Sequence, residues 1–351
     1  MLETLGEANA AALIGVAGGL ILGLAARMGR FCTLGAIEDV LYGGDDRRLR
    51  MWGIAIGTAI LSTQLGLSLG LLAPAETVYL TQVWNPAATV LGGLLFGYGM
   101  ALCGNCGYGA LARLGGGDLR SFLIVIVMGL SAYLVMSGPL AHARVWLFPV
   151  EANASTLQSF PALLERGFGL PQAPVAVAIG CALLAIALAS KPFRADPMKV
   201  VWGALVGLAI TSGWLGTYWI ASTGFAAEPV ETHTFAAPIG DTIYYAMTAS
   251  GNTLSFSVGS VVGVVVGAFV GSWRKGHLRW EACEDPRELR RQILGAAIMG
   301  AGAILAVGCS VGQGLSAFSL LAYSAPVAFL SIFAGAALGL RQLIQGFALG
   351  E

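Results

Sequence analysis

Nine stretches of this chain, at residues 10–27, 50–72, 86–103, 119–140, 172–190, 199–220, 254–273, 292–308 and 324–341, run for 17 to 23 residues with at most one charged residue each, close to an end. An α-helix rises 1.5 Å per residue, so about 20 apolar residues match the hydrocarbon thickness of a bilayer. A water-soluble fold has no use for nine such segments. Hydrophobic residues make up 56% of the chain and charged ones 11%, too little charge to clothe a water-facing surface. The sequence therefore predicts an all-α, polytopic membrane protein with about nine transmembrane helices and the lipid bilayer as its main surroundings. No basic patch suits nucleic acid, and the six cysteines are spaced too irregularly for a secreted disulfide framework.

Further apolar pieces at 28–42, 104–114 and 309–320 are too short for another crossing and predict re-entrant or broken helices. Charge placement fixes an expected orientation, because cytoplasmic loops collect Lys and Arg. With the N-terminus outside and the C-terminus inside, 17 of the 19 basic residues fall on the inner side, leaving Arg144 and Arg166 outside. The opening residues carry Glu3 and Glu7 but no Lys or Arg, so the first span is expected to be retained rather than cleaved.

The chain also repeats itself. GYGMALCGNCGYG (97–109) aligns with GAGAILAVGCSVG (300–312), setting Cys106 on Cys309. GLILGLAARMGRFC (19–32) aligns with GALVGLAITSGWLG (203–216), setting Cys32 on Gly216. Spans matched in this way cross in opposite senses, which predicts one integrated membrane domain of two inverted halves, 1–190 and 191–351, related by a pseudo-two-fold axis.

Such architectures place a solute path where broken helices meet, and the N–H groups at helix N-termini favour an anion there. Gly107 and Gly308 let backbone approach the solute closely. The distinctive ingredient is cysteine at three of the four repeated positions, Cys32, Cys106 and Cys309. A thiol is a weak donor and a soft, polarisable acceptor, better matched to another sulfur than to a phosphate oxygen. Gln313 either donates to an oxyanion or satisfies a loop carbonyl; sequence leaves both open. Glu38 and Asp39 read as an ion-paired, solvated face beside Arg47, Arg48 and Arg50, and Cys181 as packing. Cys283 reads as exposed. Cys103 and Cys106 form a C-x-x-C pair, so a membrane thiol-disulfide oxidoreductase is the alternative, though no His or Lys accompanies the pair. Three scattered histidines give no metal site, and no cofactor or catalytic residue is expected.

The segments FGYGMALCGNCGYGALARLGGGDLRS (96–121), GAAIMGAGAILAVGCSVGQGLSAFSLL (295–321) and GRFCTLGAI (29–37) resemble the YeeE/YedE family of bacterial inner-membrane proteins over essentially the whole chain. The resemblance implies a nine-span fold with central loops and uptake of thiosulfate or a related sulfur-containing anion. It also implies three pore cysteines, here Cys32, Cys106 and Cys309, that pass the solute by S–H to sulfur hydrogen bonds, and a small cytoplasmic TusA-like sulfur carrier as partner. Two positions depart from the family pattern: Asn105 stands where glycine is usual, and Cys103 where a small residue such as alanine is.

Overall fold

A computed structural model describes residues 6–149, 156–225, 228–281 and 285–346, and its regular structure is helical. The long helices are α1 (Glu7–Met28), α3 (Arg47–Ser68), α4 (Pro86–Cys103), α6 (Leu119–Met136), α7 (Gln172–Leu188), α8 (Pro197–Thr223), α10 (Phe256–Arg274), α11 (Pro286–Leu305) and α12 (Ser324–Gln345). Between them lie the shorter α2 (Thr33–Glu38), α5 (Gly107–Gly115) and α9 (Ala237–Thr248), and a π-helical turn at Gly312–Ala317.

Each of the nine apolar stretches falls on one long helix. Seven spans meet both the length and the apolarity needed for crossing, so the protein is multi-pass. Of the other two, α7 is apolar but shorter, with 17 residues, and α11 opens with Arg287, Glu288, Arg290 and Arg291. The three short apolar pieces become α2, α5 and the π-helical turn.

Local chemistry sets the helix starts. Asn85 Oδ1 accepts from Ala88 N (3.1 Å) ahead of Pro86, and Ser255 Oγ accepts from Val258 N (3.3 Å). Asp285 Oδ1 likewise accepts from Arg287 N (2.8 Å) ahead of Pro286. Each cap satisfies a donor that has no partner inside its helix.

Glycine makes up 50 of the 351 residues, and the packing says why. Lipid removes the hydrophobic drive between helices, so close backbone approach must hold them together. α1 lies parallel to α10, where a Cβ on Gly259 or Gly267 would strike the carbonyls of Ala12 and Leu20. α4 packs between α11 and α12 in the same manner: Gly92 lies against Gly302 and Ala306, and Gly93 against Ala328 and Ser331. α3 joins α8 through hydroxyls, with Thr211 Oγ1 2.6 Å from Ser62 Oγ and 3.1 Å from Thr63 Oγ1.

Helix directions follow from these contacts. α1 and α8 are antiparallel, with Ile14 against Gly216 and Gly29 against Trp202, and α4 and α11 are antiparallel too, with Gly92 against Gly302 and Gly99 against Gly295. Leu130, Leu134, Phe269 and Leu338 project outward as apolar surface, as lipid contact requires. Cys181 is exposed on α7 rather than packed inside, because that helix buries only its Ala176, Gly180 and Ala187 face. Cys283 lies outside the described residues.

Candidate translocation site

One local device is built three times. A long helix ends, a residue two before the cysteine takes a positive φ, the cysteine turns the chain, and a short helix begins. The positive-φ residues are Arg30 (56°), Gly104 (76°) and Val307 (54°), standing before Cys32, Cys106 and Cys309. Each cysteine then caps the short helix through the glycine three residues on. Cys32 Sγ accepts from Gly35 N (3.5 Å), Cys106 Sγ from Gly109 N (3.4 Å) and Cys309 Sγ from Gly312 N (3.4 Å). The recurring C-x-x-G is thus a capping motif in which sulfur does the work usually given to a Ser or Asp oxygen.

The glycine leaves room for the site around it. A Cβ on Gly35 would collide with the Arg48 guanidinium, and one on Gly312 would stand 2.5 Å from Thr234 Oγ1. Cys309 Sγ accepts a further N–H from Phe235 (3.3 Å) and lies 3.6 Å from Thr234 Oγ1.

The three thiols converge although hundreds of residues separate them in sequence. Cys106 is buried, and its neighbour Gly107 abuts the carbonyl of Phe235, whose N–H the Cys309 sulfur accepts. On the other side Asn105 and Gly109, flanking Cys106, line one cavity with Cys32, which puts Cys106 between the other two thiols. A cavity flanks each end of this row. The one at Cys32, about 340 Å³, is lined by Arg27, Arg30, Arg48, Arg113 and Lys275 together with Asn105 and Gly109. The other, about 500 Å³, is lined by Tyr79, Arg144, Trp214, Glu231, Thr234 and Gly308. Arg48 also pairs with Asp39 (3.2 Å) while Glu38 is exposed, so these carboxylates form the ion-paired, solvated face expected of them.

Other expected site residues take different places. Gly308 lines the larger cavity at φ 150°, a conformation open to glycine. Gly107 is pressed between Met128 and the Phe235 carbonyl, where a Cβ would stand 2.7 Å from the Met128 sulfur. Of the two roles open to Gln313, the structure displays the carbonyl-satisfying one. Its Nε2 donates to Ala306 O (2.8 Å) and Val307 O (3.0 Å), and its Oε1 accepts from Ser324 (3.0 Å). Those two donations use both amide hydrogens.

Gly216 does not occupy a counterpart of the Cys32 loop. It lies inside α8 against Ile14, and the chain leaves the helix only after Thr223. The non-helical segment of that region is 228–236, and its Thr234 reaches Cys309. Sequence reasoning missed Thr234, although Pro238 in the first turn of α9 marks a helix start just beyond it. Tyr79, near a span end, is expected from sequence to anchor the membrane interface; it lines the larger cavity instead, edge-on to Trp214.

All five described cysteines are free thiols. Cys103 turns away from Cys106, donating to Gln292 O of α11 (3.2 Å) and packing beside Gly295. The C-x-x-C spacing therefore marks the end of one helix and the cap of the next rather than a dithiol pair.

Helices broken at thiols, between two cavities inside a multi-pass bundle, are the architecture of a membrane transport protein. The chain belongs to the Sulphur transport family, whose model matches residues 28–338. It is 25% identical over 326 residues to the thiosulfate transporter TsuA of Spirochaeta thermophila, covering 90% of this chain and 94% of that one. It is 23% identical over 341 residues to the thiosulfate transporter TsuA of Escherichia coli, covering 92% of each. Family and relatives alike are transporters, so the protein is a transporter of sulfur compounds and not an enzyme.

Proposed function

We propose that the protein takes up thiosulfate, or a close sulfur-bearing anion, along the row Cys309, Cys106, Cys32. The convergence of the three thiols between two cavities carries the reading. Each sulfur already accepts a backbone N–H, which leaves its own S–H proton to offer to the terminal sulfur of the solute. These are weak bonds. Weakness suits transit, since each station must release what it holds. Cations stand at the cavity walls and not between the thiols, so the anion is attracted to the path without being trapped in it.

In this account the basic cavity faces the cytoplasm of a bacterial inner membrane, with the N-terminus outside and the C-terminus inside, as the clustering of Lys and Arg favours. Residues 1–190 and 191–351 act as inverted halves. In support, α1 runs antiparallel to its counterpart α8, and α4 to its counterpart α11. The partners correspond as well: α1 packs on α10 as α8 packs on α3, and α4 packs on α12 as α11 packs on α6. The segment 228–236 then stands where 29–32 stands in the first half. Gln313 serves by holding the Val307 turn, and Gly107 and Gly308 by letting the loops approach. A TusA-like carrier would collect the sulfur at the basic cavity, beside the segment 274–291.

Competition for uptake of labelled thiosulfate into proteoliposomes tests the substrate class. Unlabelled thiosulfate is expected to compete and sulfate, which lacks the terminal sulfur, to leave uptake unchanged. Equal competition by the two would mean that only the oxyanion is recognised.

A further inference from the structure

We propose that Asn105 is a specificity-determining residue of the path, its side-chain amide donating to an oxygen of the passing anion while Cys106 engages the sulfur end. The inference rests on the thiosulfate reading and adds to it a residue that separates one end of the solute from the other. Asn105 is 1% exposed, and neither its Nδ2 nor its Oδ1 has a hydrogen-bond partner among the described residues. Yet it lines the basic cavity with Cys32 and Gly109. Buried amides are almost always paired, so an amide idle at both ends beside a cavity calls for a guest.

Its placement is fixed. Asn105 sits between the positive-φ Gly104 and the capping Cys106, and the Gly104 carbonyl accepts from Arg113 Nη2 (3.1 Å). Gly109 closes the arrangement: an atom at its missing Cβ would stand 3.2 Å from Asn105 Cβ and 3.8 Å from Cys106 Sγ, so the two side chains flank one gap. Thiosulfate carries three oxygens on its central sulfur and a bare sulfur opposite them. An amide and a thiol side by side match those two ends. Five cations around the cavity supply attraction without direction, whereas the neutral amide supplies direction without a permanent charge that would hold the anion back.

Uptake of labelled thiosulfate into proteoliposomes by wild type, Asn105→Ala and Asn105→Asp, with melting of each purified protein with and without thiosulfate, tests this. Asn105→Ala is expected to raise the half-saturating concentration about tenfold or more while keeping the maximal rate. Without solute it should melt no lower than wild type, because the amide it lacks had no partner. Asn105→Asp, with a negative charge in place of the donor, is expected to abolish uptake. Wild-type half-saturation in Asn105→Ala would overturn the inference, leaving the amide a contact for water alone. Melting of that variant well below wild type would also overturn it, by assigning the amide to the fold. A wild-type protein that neither takes up thiosulfate nor is stabilised by it would instead sink the substrate reading, and this inference with it.

Discussion

Cys309 shows how much one side chain does here. Its sulfur receives the N–H groups of Gly312 and Phe235 and touches Thr234, so it both caps a helix and ties the 228–236 segment to that cap. Gln313, four residues on, holds the preceding turn by both of its amide hydrogens. Replacing it by Ala orphans the carbonyl of buried Ala306, a loss of about 1–3 kcal/mol, and frees that of the exposed Val307. Gln313→Ala should therefore melt well below wild type in detergent, with uptake falling in proportion to folded protein. Unchanged melting with uptake lost would return the amide to the solute. The cysteines were legible in sequence because a thiol repeated within glycine-rich loops has few bland explanations. The contact between Thr234 and Cys309 was not, since it joins segments distant in sequence.

The repeated break, from helix to positive-φ residue to capping cysteine, is the element that positions the site. Only Gly104 uses the residue that takes this conformation without strain. Arg30 does so with a Cβ, and Val307 with a branched one at φ 54°. A β-branched residue there is a true outlier, and the left-handed region costs about 1–2 kcal/mol. Val307→Gly is expected to stabilise the purified protein by about 1 kcal/mol, read as a rise in melting temperature; a fall would place the turn under some other control. The same feature explains what sequence reading saw and missed. Short apolar runs after three spans announced broken helices, but the residue that makes each break is glycine in only one of them. The alignment of Cys32 with Gly216 failed for a related reason. Glycines in membrane helices recur on packing faces, so 203–216 matches 19–32 by its contacts with neighbouring helices and not by its place relative to a loop.

At the scale of the whole molecule, the long apolar helices were legible to within a few residues, seven of them long and apolar enough to cross, because a bilayer dictates length and polarity together. Sequence alone did not give the order of thiols between two unlike cavities, one ringed by cations and the other lined by Arg144 and Glu231. Antiparallel packing sets the C-terminal ends of α4 and α11 apart, Cys103 beside Gly295 and Gly92 beside Ala306, and the loops beyond those ends turn back to meet at Phe235, between Gly107 and Cys309. The account stands on those distant thiols acting as one route. Its most direct test is uptake of labelled thiosulfate into proteoliposomes by four proteins in parallel: Cys32→Ser, Cys106→Ser, Cys309→Ser and Cys103→Ser. The first three are each expected to lose about tenfold or more, while Cys103→Ser, which only gives up its bond to Gln292, keeps most of the wild-type rate. Wild-type uptake in any of the first three, or an equal loss in Cys103→Ser, would contradict it.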